Sequence, residues 1–257
     1  MARPNGNRYV ALGSSMAAGP GIRPRAVGAP WASGRSARNY PHQLARMLNL
    51  DLIDVTFSGA TTDHLLTESQ RGAPPQIDAL DGSEVLVTVT IGGNDVGYVP
   101  MLLAATLPAI FRRLPAIGAA LDPRQRERAL RDVQASLHRV GAAVRSRSPR
   151  ARVFFVDYLT LLPPVGVAVP QLPDHVVDLA RHVALELQRY TAAAADETGC
   201  EIVCAGQRSQ HHHPFSSRPW TVGAGLPVPW RPWPWHPNAE GMAAVAAMIA
   251  EQWAQRA

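Results

Sequence analysis

The chain has 257 residues and a mass of 27.7 kDa; 46% of its residues are hydrophobic and 18% are charged. This balance is typical of a folded globular protein and excludes a disordered or fibrous chain. All 25 basic residues are arginine, and the absence of lysine excludes Schiff-base chemistry, pyridoxal-phosphate attachment and a P-loop lysine.

Five segments with the composition of buried strands recur along the chain, and helical segments separate them. The strands are predicted at residues 8–12, 50–57, 84–91, 152–156 and 201–204. The helices are predicted at residues 40–48, 62–67, 75–79, 100–121 with proline kinks, 123–148, 175–198 and 238–255. This alternation favours a parallel sheet that is covered on both faces. No internal repeat or linker is evident, so the sequence predicts one domain over residues 1–257.

Residue types that carry acyl-transfer chemistry follow the predicted strands. Ser14 and Ser15 stand in a glycine turn after the first strand, Gly59 follows the second, and Asn94 follows the third. His236 precedes the last helix. In open parallel sheets, the loops beyond the carboxyl ends of the strands form the site. A serine can act there as nucleophile with a histidine as base, and a glycine N–H with an asparagine amide can bind an oxyanion.

These four blocks resemble those of the SGNH (GDSL-type) hydrolases, which carry Ser in G-D-S-x-x-x-G, a Gly, Asn in G-x-N-D and His in D-x-x-H. The resemblance implies a flavodoxin-like three-layer α/β/α sandwich with a five-stranded parallel sheet. It implies action on carboxylic ester bonds without a metal or an organic cofactor. Ser15, with Gly19 four residues on, would be the nucleophile and His236 the base. The Ser15 backbone N–H, Gly59 and Asn94 would form the oxyanion hole.

The chain departs from the family pattern beside both catalytic residues. Ser14 replaces the usual Asp next to the nucleophile, and Trp233 stands where the family has an Asp three residues before the histidine. No Asp or Glu occurs from Ile202 to Trp235. We therefore expect a Ser–His dyad in which the backbone carbonyl of Trp233 orients His236. Asp157 is the alternative orienting acid.

Four of the six tryptophans lie in the proline-rich segment that leads to His236. We predict that Trp220, Trp230 and Trp235 line an apolar substrate pocket. The alternative is that these side chains pack a long loop onto the sheet.

No metal site is predicted. The consecutive histidines at residues 211–213 have no Cys or Asp beside them and indicate a solvated loop. Cys200 and Cys204 are too far apart along a strand for a disulfide and are expected to be separate thiols. His42 and His64 sit inside helical patterns and are weaker candidates for the base.

The sequence thus predicts a serine ester hydrolase, of carboxylesterase or lipase type, for a small-molecule or lipid ester with an apolar moiety. A catalytically inactive binding protein on the same scaffold is the alternative, because both acidic positions are lost. Nucleic acid is not expected as a partner, because the arginine content is the only feature that favours it and no nucleic-acid-binding motif accompanies it. The longest apolar run, at residues 98–111, is too short to span a membrane. No signal peptide is visible, so a cytoplasmic location is expected, or secretion if a leader was removed.

Overall fold

The predicted strands form one parallel sheet in the computed structural model, which describes residues 6–170 and 172–255. The strands are β1 (Arg8–Gly13), β2 (Asp51–Asp54), β3 (Leu86–Thr90), β4 (Arg152–Val156) and β5 (Glu201–Val203). Their order across the sheet is β2-β1-β3-β4-β5, and each neighbouring pair is parallel. This is the flavodoxin-like order, so the predicted fold class is confirmed.

Helices connect the strands, as parallel pairing requires. They are α1 (Ser15–Ala18), α2 (Tyr40–Leu48), α3 (Thr62–Leu66), α4 (Tyr98–Thr106), α5 (Ala109–Arg112), α6 (Pro115–Ala120), α7 (Pro123–Arg147), α8 (Asp174–Glu197), α9 (Ala205–Arg208) and α10 (Ala239–Ala254). Short 3-10 helices lie at Trp31–Ser33 and Gln76–Ala79. Within the described chain, no helix combines the length and apolar content needed to cross a membrane.

Side chains of the strands alternate between two cores, one on each face of the sheet. In β1, Val10 and Leu12 enter the core that α4, α7 and α8 cover. Tyr9 and Ala11 enter the other core, which α2 and α10 cover. The alternation follows from the two-residue period of a strand and produces the three layers of the sandwich.

One predicted strand and one predicted helix differ most from what was expected. The second strand was predicted over residues 50–57 but ends at Asp54. The chain beyond Asp54 still donates two backbone N–H groups to β1, but Gly13 of β1 donates its N–H to the Gln76 side chain instead of returning a bond, so the ladder is incomplete there. The predicted kinked helix over residues 100–121 is three separate helices. Pro108 precedes α5 and Pro115 begins α6, and proline disfavours helical backbone in the residue before it.

Candidate active site

The nucleophile turn begins where β1 ends. Gly13 has a φ of +148°, and a Cβ there would lie 2.6 Å from the carbonyl oxygen of Thr90 on β3. Glycine is therefore required for the two strands to stay this close. The next residue, Ser14, donates its backbone N–H to the same Thr90 carbonyl at 2.9 Å. The chain then turns directly into α1, whose first residue is Ser15.

Ser15 and His236 are in hydrogen-bonding contact although they are far apart in sequence. The Ser15 Oγ lies 2.9 Å from the His236 Nε2, and both side chains are buried. The other ring nitrogen, Nδ1, lies 2.8 Å from the backbone carbonyl oxygen of Pro234. A carbonyl accepts a hydrogen bond and cannot donate one, so Nδ1 carries the proton. Nε2 is then the free acceptor that faces the serine hydroxyl.

The carbonyl that orients His236 is that of Pro234, so the prediction of the Trp233 carbonyl is wrong by one residue. The reason is the left-handed backbone of Trp235, at φ +60°, which folds the chain back so that the ring reaches the carbonyl two residues earlier. Two hydrogen bonds with Val222 hold this turn. The Trp235 N–H donates to the Val222 carbonyl, and the Val222 N–H donates to the His236 carbonyl, both at 2.9 Å. The Trp233 ring instead meets the imidazole edge to face, with ring centroids 5.9 Å apart.

No carboxylate in the described ranges hydrogen bonds or pairs with His236. The alternative acid, Asp157, accepts a hydrogen bond from the Gly206 N–H at 2.8 Å, and burial raises its pKa to about 7. Burial also lowers the pKa of His236 to about 4, and the Pro234 carbonyl opposes this shift in part. His236 is therefore a neutral imidazole, the form that can accept a proton.

Three donors lie on the loops that follow β1, β2 and β3. Among the described residues, no protein acceptor takes the backbone N–H of Ser15 or of Gly59. The Asn94 side chain donates one amide hydrogen to the Ala60 carbonyl at 2.8 Å, which leaves its second amide hydrogen free. Unused donors on adjoining loops are what an oxyanion hole requires.

Hydrogen bonds to Asp95 fix two of these loops relative to each other. The Asp95 carboxylate, next to Asn94, accepts the backbone N–H of Thr62 at 3.0 Å and its hydroxyl at 2.5 Å. The loop after β3 is thereby tied to the loop that carries Gly59. Asp95 was not predicted as a site residue, although it is the last position of the G-x-N-D block.

Ser14 has a structural partner that the sequence did not reveal. Its Oγ lies 3.1 Å from the hydroxyl of Tyr158, which also accepts the Gly93 backbone N–H at 3.0 Å. Tyr158 thus links the loops after β1 and β3 beneath Ser15. Burial raises the pKa of Tyr158 to about 12, so it stays a neutral hydroxyl. A tyrosine two residues beyond a strand belongs to none of the four blocks.

The predicted tryptophan pocket is not formed as expected. Trp235 is fully buried in the core and presents no surface to a ligand. The half-buried Trp220 stacks on the His212 ring with centroids 3.8 Å apart. Trp230 lies in solvent with the Arg23 guanidinium over its ring. Trp233, predicted only as the residue whose carbonyl accepts a hydrogen bond from His236, is the tryptophan whose ring contacts the imidazole.

The two histidines considered as weaker candidates for the base have other partners, and the cysteines are unpaired. Nδ1 of His42 lies 2.8 Å from Asn39 Oδ1, and Nδ1 of His64 lies 2.7 Å from the Thr61 hydroxyl, so both rings serve helix starts. Both cysteines are free thiols, as predicted.

Comparison with known proteins agrees with this geometry. The model of the GDSL-like lipase/acylhydrolase family matches residues 11–244. A protein named Lipase 2, from Streptomyces coelicolor, is 31% identical over 250 residues, which cover 91% of this chain and 81% of the relative. The fold is also that of the phospholipase A1 from Streptomyces albidoflavus, with a TM-score of 0.79 and 22% identity over 95% of this chain and 98% of that one. An extracellular lipase from Streptomyces rimosus superposes with a TM-score of 0.76, at 24% identity over 96% and 99% of the two chains.

Proposed function

The chain belongs to the GDSL-like lipase/acylhydrolase family and is a serine ester hydrolase, and we propose that Ser15 is its nucleophile and His236 its general base. The observation that carries this assignment is the 2.9 Å contact between Ser15 Oγ and His236 Nε2. The tautomer set by Pro234 leaves Nε2 as the acceptor, which is the role a base needs.

In the proposed reaction, Ser15 Oγ attacks the carbonyl carbon of the ester while His236 Nε2 takes the hydroxyl proton. The carbonyl oxygen becomes an oxyanion, which the backbone N–H groups of Ser15 and Gly59 and the amide of Asn94 stabilise. His236 then gives its proton to the leaving alcohol oxygen as the bond to the acyl carbon breaks. Water then attacks the acyl carbon while His236 takes its proton, and His236 gives that proton to Ser15 Oγ as the acyl–oxygen bond breaks, which releases the acid and free Ser15.

The Pro234 carbonyl gives this dyad a weaker partner than a triad has. It accepts the Nδ1 proton throughout the cycle and so holds the ring in one orientation. A carbonyl dipole stabilises the transient imidazolium less than a carboxylate charge does. The dyad therefore depends more on the oxyanion donors for its rate.

A catalytically inactive binding protein is not favoured by this arrangement. Such a protein has no need for a serine hydroxyl against a neutral histidine with two unused N–H donors on the neighbouring loops. The two lost acidic positions are also accounted for. Ser14 bonds Tyr158, and Pro234 supplies the acceptor for His236.

We further propose that the substrate is a lipid ester with an apolar acyl group. The Trp233 ring contacts the His236 imidazole and is partly exposed, so it offers an apolar surface beside the nucleophile, which suits an apolar group more than a sugar. The relatives named above are called lipases or a phospholipase A1. The cytoplasmic location stays a prediction.

The experiment that tests the assignment is covalent trapping during turnover. The protein should hydrolyse p-nitrophenyl esters, and a phosphonate ester should stop hydrolysis at one equivalent. Mass spectrometry of the digested adduct should place the phosphonate on Ser15. A phosphonate on any other residue, or full inhibition with no adduct at Ser15, contradicts the proposed nucleophile.

We expect Asn94→Ala to lower kcat by about 10²–10³-fold with little change in KM, as removal of one oxyanion donor does. The donor acts on charge that develops in the transition state, so binding of the neutral ester is spared. Steady-state kinetics on p-nitrophenyl butyrate check this. Because the side chain also holds the Ala60 carbonyl, thermal unfolding of the variant is the control. A fall in kcat of less than tenfold in a folded variant removes Asn94 from the oxyanion hole.

A further inference from the structure

Residues 225–233, here called the tryptophan loop, hold four large apolar side chains in solvent. The exposed fractions are 85% for Leu226, 46% for Val228, 64% for Trp230 and 42% for Trp233. Single exposed apolar side chains are common on protein surfaces, but a run of them on one loop marks a contact site. The sequence Leu-Pro-Val-Pro-Trp-Arg-Pro-Trp is also rich in proline, which restricts the backbone and limits collapse of these side chains onto the protein.

The tryptophan loop is positively charged and carries no acid. The Arg23 guanidinium lies 3.5 Å from the centroid of the Trp230 ring, and Arg231 is exposed on the loop itself. The segment that carries Arg23 and the tryptophan loop both lie in stretches without acid, because no Asp or Glu occurs from position 1 to 50 or from position 202 to 239. The positive charge of these arginines is therefore not offset by acids within the same stretches of sequence.

The tryptophan loop reaches the catalytic dyad. At its end, the Trp233 ring contacts the His236 imidazole. The Trp233 N–H donates to the carbonyl of Pro20 at 3.2 Å, and Pro20 directly follows the Gly19 that caps the nucleophile helix. Gly21 permits this packing, because a Cβ there would overlap the Arg231 carbonyl. An apolar surface anchored here lies beside Ser15 rather than on a remote face.

We propose that the tryptophan loop docks the protein on an anionic lipid surface, so that the ester enters the site from the lipid phase; this rests on the proposed function. Tryptophan side chains partition to the boundary between lipid headgroups and acyl chains. Leu226 and Val228 supply apolar area for the acyl layer, while Arg23 and Arg231 attract anionic headgroups.

The test measures binding apart from catalysis. Ser15→Ala protein is sedimented with phosphatidylcholine vesicles that contain or lack phosphatidylglycerol. Adding Leu226→Ser and Val228→Ser together should weaken partition into the anionic vesicles about tenfold or more, because two apolar side chains no longer leave water. The matched control is Met47→Ser, which should change partition less than about twofold. Met47 is 54% exposed at the end of α2, just before β2 begins, and so at the sheet edge opposite the dyad.

A second variant tests the charge. Arg231→Gln should weaken binding to the phosphatidylglycerol vesicles about fivefold, the effect of one arginine near an anionic surface. It should leave binding to pure phosphatidylcholine vesicles unchanged. Equal losses on both vesicles contradict recognition of the anionic headgroup.

The failure of docking and the failure of the proposed function are distinguishable. The Leu226→Ser/Val228→Ser variant of the active protein should hydrolyse water-soluble p-nitrophenyl acetate at the unaltered rate. If that ester is hydrolysed but Ser15→Ala protein ignores the vesicles, the docking proposal is overturned and the catalytic one stands. If the ester is not hydrolysed, the proposed function fails whatever the vesicles show. A change from dimer to monomer in the loop variant on analytical ultracentrifugation also overturns docking, because the patch would then bind a second copy.

Discussion

Ser15→Ala is expected to lower kcat/KM for ester hydrolysis roughly 10⁴–10⁶-fold, the effect of removing the nucleophile from a serine hydrolase. The hydroxyl is the group in contact with His236, and alanine leaves the base with no proton to take. The backbone N–H of residue 15 survives in the variant. The residual rate then measures what the oxyanion donors achieve with water as nucleophile. Steady-state hydrolysis of p-nitrophenyl butyrate checks the size of the loss.

Ser14→Ala is the matched control, since the two serines are adjacent and the same atom is removed. The Ser14 hydroxyl contacts Tyr158 rather than the imidazole, so its loss removes one buried hydrogen bond beneath the nucleophile turn. Even if that bond were felt fully in the transition state, the rate would fall only about tenfold. Equal losses in the two variants would show that Ser15 has no special role.

His236→Ala should lower kcat/KM about 10³-fold or more, because the serine then has no base to take its proton. In the unaltered protein, kcat/KM should rise with pH through the His236 pKa of about 4 and stay flat above about 6. Burial causes this low value, so activity persists at acidic pH where an ordinary histidine would be mostly protonated. A pH–rate profile measured between pH 3.5 and 8 checks this, using an ester that is stable over the range.

The same pKa shift has a consequence for stability, whose sign follows from proton binding. The unfolded chain takes up the His236 proton as pH falls below about 6.5, whereas the folded protein does so only near 4. The free energy of unfolding should therefore fall as the pH drops from 6.5 to 4, by on the order of 3 kcal/mol from this group. His236→Gln should lack this component. In the pH–rate profile described above, a fall in kcat/KM that already begins at pH 6.5 or above would contradict the buried, neutral base.

Much of the fold could be predicted from local patterns. Helix α2 matched its prediction because Asn39 caps its start, accepting the His42 N–H, and Asn49 takes the left-handed conformation that ends it. Strand β4 also matched its prediction, at Arg152–Val156, because a run of β-branched and aromatic residues follows Arg152. The edge strand β2 was predicted too long, because the apolar residues continue after Asp54 but the Gly13 N–H of the neighbouring strand bonds the distant Gln76 side chain, which the sequence does not reveal.

The sequence predicted the site residues that lie in loops at the carboxyl end of the sheet. It did not predict which carbonyl orients His236 or where the Trp235 side chain lies, because both depend on the backbone conformation of one residue. Ser15 and His236 meet as expected, because the carboxyl ends of parallel strands share one edge. The Pro234 carbonyl was missed because the left-handed Trp235 has no sequence signal, unlike a glycine. For the same reason, Trp235 was expected in a pocket although its side chain turns into the core.

The main-chain acceptor for His236 changes what mutation can do to this catalyst. In a Ser–His–Asp triad, one substitution deletes the acid, and the rate falls by about 10⁴-fold. Here every amino acid at position 234 brings a carbonyl, so no replacement of that side chain deletes the group itself. The left-handed conformation of Trp235 is the feature to be maintained, at an intrinsic cost of about 1–2 kcal/mol that the surrounding packing offsets. The acceptor for His236 thus depends on the backbone conformation and not on the identity of one side chain, so a single substitution cannot remove the group as it can in a triad.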